Sequence, residues 1–196
     1  RPGFDALDAL LSGARMLGQK GIIDTNRVVI QGHSWGAYEA AFIVTQTDFF
    51  KAACAGAPVG NMTSAYSGIR LGSGLARQFQ YEKYQSRIGG NLWDSLDSYL
   101  RNSPVMQAET MNTPLLIMHG DVDDAVPFEQ SIELYLAMRR LNKNCIFLHY
   151  PNEPHWPGRY PNKLDYAVKM KQFFDHYIFN EPAPEWMIKG IPYRGK

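Results

Sequence analysis

The hydrophobic positions along this chain switch repeatedly between two periods. From Pro2 to Leu17, the residues Ala6, Leu7, Leu10, Leu11, Ala14 and Leu17 recur at helical spacing, and Gly18 and Gly21 follow as stop signals. "RVVIQG" (27–32) is a short β-branched run bounded by turn residues, the pattern of a strand covered on both faces. "AYEAAFIVTQ" (37–46) returns to a helical pattern, and "AACAGAPV" (52–59) predicts a second buried strand ended by Pro58. Residues 60–95 are rich in Gly, Tyr and Ser with weak periodicity, and predict a long excursion with one or two short helices. A strand follows in "TPLLIMHG" (113–120), then an amphipathic helix in "FEQSIELYLAMRRL" (128–141). "NCIFLHY" (144–150) predicts a strand and "LDYAVKMKQFFDHYIF" (164–179) a helix, with a Pro-rich tail lying extended over the surface from 180 to 196.

This alternation predicts a single α/β domain spanning 1–196, with about four parallel strands flanked by helices. In such sheets the chemistry gathers beyond the carboxyl ends of the strands. The first strand ends in Gly32-His33-Ser34-Trp35-Gly36, a G-x-S-x-G with a strand before it and a helix after it. A sharp strand-to-helix turn holds the Ser34 hydroxyl out of the fold. It also aims a helix N-terminus, with free N–H groups, at any oxyanion forming beside it. The N–H of Trp35 is the expected donor. The two glycines are expected to avoid collisions across the turn. The alternative is a serine filling a tight structural bend.

The third strand ends in "HGDVDDAVP", where Asp121, Asp123 and Asp124 crowd one loop. One of them can orient a histidine and stabilise its protonated form. A calcium loop needs a Gly and a distal Glu that this spacing lacks. An N-cap for the following helix is the plainer role for at least one of the three. The fourth strand is followed by "YPNEPHWPG", whose His155 can reach back over the sheet edge. The other histidines fit less well. His33 lies inside the elbow with its ring expected to turn away from Ser34, His119 and His149 belong to strands, and His176 to a helix face. Ser34, Asp123, His155 is the chain order of an α/β-hydrolase triad. With His155 as base, activity is expected to rise through about pH 6–7.

Composition narrows the function classes. With 196 residues, 45% of them hydrophobic, the chain can bury one ordinary core. A net charge of +1 with scattered basic residues gives no field to recruit nucleic acid or an anionic membrane, and no apolar run is long enough to span a bilayer. Cys54 and Cys145 lie in apolar strand-like runs and read as buried free thiols. No motif calls for a metal or a cofactor. The chain starts at Arg1 without a Met and reads as an excised piece, with any targeting segment upstream.

With these residues in hand, the chain resembles the catalytic domain of the prolyl oligopeptidase family of serine peptidases. The likeness is carried by "GIIDTNRVVIQGHSWGAYEA", "APVGNMTSAYSG", "PLLIMHGDVDDAVPFEQSIEL" and "YPNEPHW". It implies the C-terminal portion of an α/β-hydrolase fold, with the strands that precede the elbow strand missing. It implies that Ser34 attacks a peptide carbonyl, that His155 relays the proton, and that Asp123, matching the acid of the HGxxDxxV block, holds the ring. The S1 pocket is expected to be apolar, lined by Trp35, Val59, Met62 and Val126. An esterase on the same fold, or a non-catalytic interaction module, is the alternative.

Three positions depart from the family pattern. Ala37 replaces a common second Gly. Ala125 stands where relatives carry an Arg or Asn that grips a substrate carbonyl. Met62 stands where some carry Trp. Strict proline specificity is therefore not expected. The second oxyanion donor, a tyrosine hydroxyl, is expected upstream of Arg1, and losing such a donor costs about 10²–10³ in rate. Low activity is thus expected of this piece alone. Its first strand is expected to be an exposed sheet edge through which it self-associates or binds the missing N-terminal part. The resemblance alone favours a periplasmic or secreted setting.

Overall fold

The short apolar runs pair into one parallel sheet in this computed structural model, which describes residues 1–190. Its strands are β1 (Ile30–His33), β2 (Ala53–Gly56), β3 (Leu115–Gly120) and β4 (Cys145–Tyr150), in spatial order β1-β2-β3-β4. The register sets Ile30 beside Ala53, Ala53 beside Leu115, and Leu115 beside Cys145. The long helices that flank it are α1 (Pro2–Gln19), α2 (Trp35–Gln46), α3 (Glu129–Arg140) and α4 (Tyr160–Phe179).

Both sheet faces are buried, and strand alternation decides which residue meets which helix. Ile30, Ala53, Ala55, Leu115 and Ile117 face a cluster with Ala40, Ile43 and Val44 of α2 and Leu134 and Met138 of α3. Cys54, Leu116 and Met118 face the other way, onto Tyr166 and Phe173 of α4. Both cysteines are buried and free, and burial pushes each thiol up to about 12. The small side chains of β2 let helices close on both sides.

Helix α2 is apolar nearly all round and is buried from Ala37 to Thr45 except at Glu39. Helix α1 covers it. The Phe4 and Phe42 rings meet edge-on at 5.0 Å, and a side chain at Gly3 would overlap Phe42. Among the described residues β1 pairs only with β2 and forms one edge of the sheet.

Strand ends shift by up to three residues from expectation, β1 to 30–33 and β2 to 53–56, and three larger differences appear. Helix α4 begins at Tyr160 rather than 164, because Pro161 suits a first helical turn. The 60–95 excursion holds short helices at Met62–Tyr66 and Gln78–Glu82, with an unexpected two-stranded hairpin between them, Ile69–Arg70 against Leu75–Ala76. The tail is not extended throughout. Glu185–Ile188 forms a helical turn, and Trp186 Nε1 donates to Gln172 Oε1 at 2.8 Å. Trp186 and Met187 pack on the α4 side of the core, which offsets the Pro-rich composition. The rest of the expected tail, 191–196, lies outside the described residues.

Candidate active site

Ser34 sits between the last residue of β1 and the first of α2, with φ 60° and ψ −121°. A non-glycine residue with positive φ costs on the order of 1–3 kcal/mol and persists only where its surroundings enforce it. Here its N–H donates to Gly56 O at 2.7 Å, and its carbonyl accepts from Ala37 and Tyr38. A Cβ at Gly32 would overlap the Gly36 carbonyl, so Gly32 is required by sterics. Gly36 is different: a Cβ there meets nothing within 4 Å, so the expected collision exists on one side of the turn only. The Trp35 N–H opens α2 and has no carbonyl within the helix to bind.

The candidate acid, Asp123, lies on the loop after β3. The Asp123 side chain is fully buried. Its Oδ1 accepts from the backbone N–H groups of Ala125 (2.7 Å) and Val126 (2.9 Å). Its Oδ2 accepts from His155 Nδ1 at 2.7 Å and from His119 Nε2 at 2.9 Å. Burial alone would raise the carboxyl pKa, but the hydrogen bonds from His119, His155 and Val126 outweigh it and hold it well below the usual range. The neighbouring acids are used elsewhere. Asp121 accepts from Asn152 N and approaches His149 Nε2 at 3.2 Å, while Asp124 packs over Gly72.

His155 lies on the loop between β4 and α4, with 28% of its side chain exposed. Its ring lies tilted against that of His33, the residue before Ser34, with centroids 4.7 Å apart, and His33 also meets Trp156 at 4.4 Å. Burial, reinforced by the neighbouring His155, lowers the His33 pKa to about 4 and keeps it neutral.

Glu153 pins this loop: its buried carboxylate accepts from Gly158 N, Arg159 Nε and Asn162 Nδ2. Burial opposes its charge, yet these bonds lower its pKa to about 2. A Cβ at Gly120 would overlap the Glu153 carbonyl, so the glycine ending β3 lets the histidine loop settle on the aspartate loop. The sequence pattern signalled neither Glu153 nor the contact of His119 with Asp123. His176 donates from Nδ1 to Glu181 O beyond the end of α4.

Beside Ser34 opens a narrow cleft of about 20 Å³, with Trp35, Val59, Ala125 and Val126 in its wall. Two parts of the expected pocket are corrected. Met62 is fully buried beneath the surface and is absent from the wall. The wall is not apolar: Arg70, Arg77, Gln80, Gln85 and Ser86, all from the excursion, complete it. Their segment has too little periodicity for its position to be read from sequence.

The sequence model described as "Prolyl oligopeptidase family" matches residues 2–181. The chain belongs to this family. Among curated members it is 31% identical over 162 residues to the uncharacterized peptidase YuxL of Bacillus subtilis, covering 80% of this chain and 23% of that protein. It is 28% identical over 134 residues to the acylamino-acid-releasing enzyme of Rattus norvegicus, covering 67% of this chain and 18% of that one. The chain therefore spans about a quarter or less of the length of these family members.

Solved structures share the fold. A Mycobacterium tuberculosis puromycin-hydrolyzing peptidase superposes with TM-score 0.82 at 24% identity, over 94% of this chain and 27% of that one. Pyrococcus horikoshii acylaminoacyl peptidase superposes with TM-score 0.80 at 22% identity, over 98% of this chain and 31% of that one. These are α/β-hydrolase peptidases, and the four-stranded parallel sheet is the part of that fold present here. Among the described residues no group of His, Cys, Asp and Glu could hold a metal ion, and no helix is long and apolar enough to cross a membrane.

Proposed function

We propose that this chain carries the catalytic residues of a serine peptidase, with Ser34 as nucleophile, His155 as general base and Asp123 as its orienting acid. The observation that carries the reading is the 2.7 Å bond from His155 Nδ1 to the buried Asp123, in a ring that lies against the residue preceding the strained Ser34. An Nδ1–H donated to Asp123 leaves the Nε2 lone pair free to accept the Ser34 proton.

Ser34 Oγ then attacks the peptide carbonyl, and the Trp35 N–H stabilises the resulting oxyanion. The intermediate collapses to an acyl ester on Ser34 as His155 passes the proton to the leaving amine. Water, deprotonated by His155, attacks that ester, and His155 returns the proton to Ser34 Oγ as the acid is released. Family membership supports peptides as the substrate class.

Labelling of the full-length natural protein by a fluorophosphonate probe tests this reading. Labelling abolished by Ser34→Ala is the expected result, and labelling that survives the substitution overturns it. Hydrolysis of a peptide amide alongside a short p-nitrophenyl ester separates a peptidase from an esterase: turnover of the ester alone refutes the peptidase assignment.

A further inference from the structure

Arg77 is an arginine buried without an acid. It is 3% exposed, and among the described residues no carboxylate forms an ion pair with it. Its Nη2 donates only to backbone carbonyls, those of Asp124 (3.3 Å) and Ala125. Its Nε is buried with no hydrogen-bond partner among the described residues. A guanidinium does not shed its proton to relieve such burial. Burial works against its charge and Arg70, in the same cleft wall, adds like-charge repulsion, which the Tyr81 hydroxyl and the more distant Asp123 offset only in part.

The site is nonetheless built to hold it. A side chain at Gly68 would come within 2.8 Å of Arg77 Cδ, so this glycine makes room for the arginine. The Tyr81 hydroxyl lies beside the guanidinium, and Ser86 Oγ, also buried and unpartnered, lies in the same wall.

The rest of the cleft suggests what completes the arrangement. Ser34 and Trp35 are at one part of the wall with Val59 and Val126, and the two arginines, Gln80, Gln85 and Ser86 supply its polar part. No Asp or Glu lines the cleft. A substrate residue whose carbonyl lies at Ser34 would set its side chain against the wall that also carries these donors. Arg70 and Arg77 line the same wall and repel one another, and an anion in the cleft would relieve that repulsion. A planar carboxylate matches the donor fork of an arginine better than any neutral group does.

We propose that Arg77, assisted by Arg70, makes this cleft selective for an acidic side chain, Asp or Glu, on the residue whose carbonyl Ser34 attacks. This inference rests on the catalytic reading of Ser34 above. The neutral isosteres Asn and Gln keep the shape but leave the guanidinium without its counter-charge. A charge-assisted hydrogen bond of this kind corresponds to roughly 10- to 100-fold in kcat/KM.

The test uses the full-length natural protein and four fluorogenic peptides, alike except for Glu, Gln, Asp or Phe at the cleaved position, together with the fluorophosphonate probe. The expected result is at least about tenfold preference for Glu over Gln and for Asp over Phe. The preference should collapse toward parity in Arg77→Gln, and shrink in Arg70→Gln should the first variant fail to fold. Probe labelling of Ser34 with Gln or Phe cleaved as well as Glu overturns the acidic selectivity and leaves the catalytic reading standing. Absence of labelling overturns both.

Discussion

His119 and His155 share a single oxygen: Nε2 of the first and Nδ1 of the second approach Oδ2 of Asp123, at 2.9 and 2.7 Å. Both must donate an N–H to it, which assigns both tautomers. Nδ1 of His119 is then an acceptor, and Ser131 Oγ supplies the proton at 2.6 Å. Asp123→Asn removes the charge and presents an N–H where the acceptor stood, which favours the wrong His155 tautomer. Activity on a peptide amide should fall about 10⁴-fold with little change in fold. Steady-state kinetics beside circular dichroism checks this, and a loss below tenfold would count against His155 as base.

The second imidazole leads to a separate expectation, about stability. His119 is wholly buried, and His119→Ala strands both Asp123 Oδ2 and Ser131 Oγ one partner short while opening a cavity. A loss of about 2–4 kcal/mol should follow, read from the midpoint of urea denaturation.

Acid should weaken the fold in two stages. His33 has its pKa lowered to about 4 from an ordinary 6.5, so between those values the unfolded chain binds more protons than the folded one. Stability therefore falls as pH drops from 6.5 toward 4, and this group takes away nothing more below that. The depressed Asp123 contributes stability above the unfolded carboxyl pKa of 3.8, lost as pH falls further. Urea midpoints measured against pH should show both, and His33→Gln should flatten only the upper stage.

The two elbow glycines should separate on substitution. Gly32→Ala drives a methyl into the Gly36 carbonyl and should destabilise by about 2–4 kcal/mol, with activity lost. Gly36→Ala meets open space inside α2 and exchanges a poor helix former for a good one, so stability should hold or rise by up to about 1 kcal/mol. Equal damage from both would refute the one-sided crowding described above.

Loosening the histidine loop should reach the chemistry indirectly. Glu153→Gln keeps the shape of the residue but weakens its hold on Arg159 and the Gly158 amide. Because misplacement of a reacting group by about 1 Å costs as much as 10²-fold, kcat should drop about 10- to 100-fold with KM nearly constant. A rise in KM alone would place Glu153 in substrate binding.

Residues 1–196 prepared alone should self-associate through β1, which has no second neighbour among the described residues. Light scattering from a dilute sample is the check. A monodisperse monomer would show that this edge is covered in some other way.

How far the sequence went depended on the range of each interaction. Strands buried on both faces read as short apolar runs, so the sheet and its order of helices were legible from composition within each segment. Ser34, Asp123 and His155 stood out as candidates because each lies within five residues of the end of such a run. Arg77 was not: it lies between a two-residue strand and a five-residue helix, too short to show a period. Glu153 was hidden for another reason, since its partners lie across the loop rather than at a fixed spacing. Met62 was placed in the pocket by resemblance, but its apolar character served the core instead. The tail misled because Trp186 finds its anchor on α4, a contact that local Pro content does not register.

Helix α2 carries a further consequence. Its buried stretch from Ala40 to Val44 offers solvent almost no surface, and it opens at the residue next to Ser34. The amides of that stretch should exchange with deuterium only when the whole domain opens. The serine's geometry is thus tied to the last part of the molecule to yield on heating, so loss of probe labelling and loss of fold should occur at one temperature. The cleft wall across from it, hung on a two-residue hairpin, should yield earlier, so selectivity should fade on warming before reactivity does.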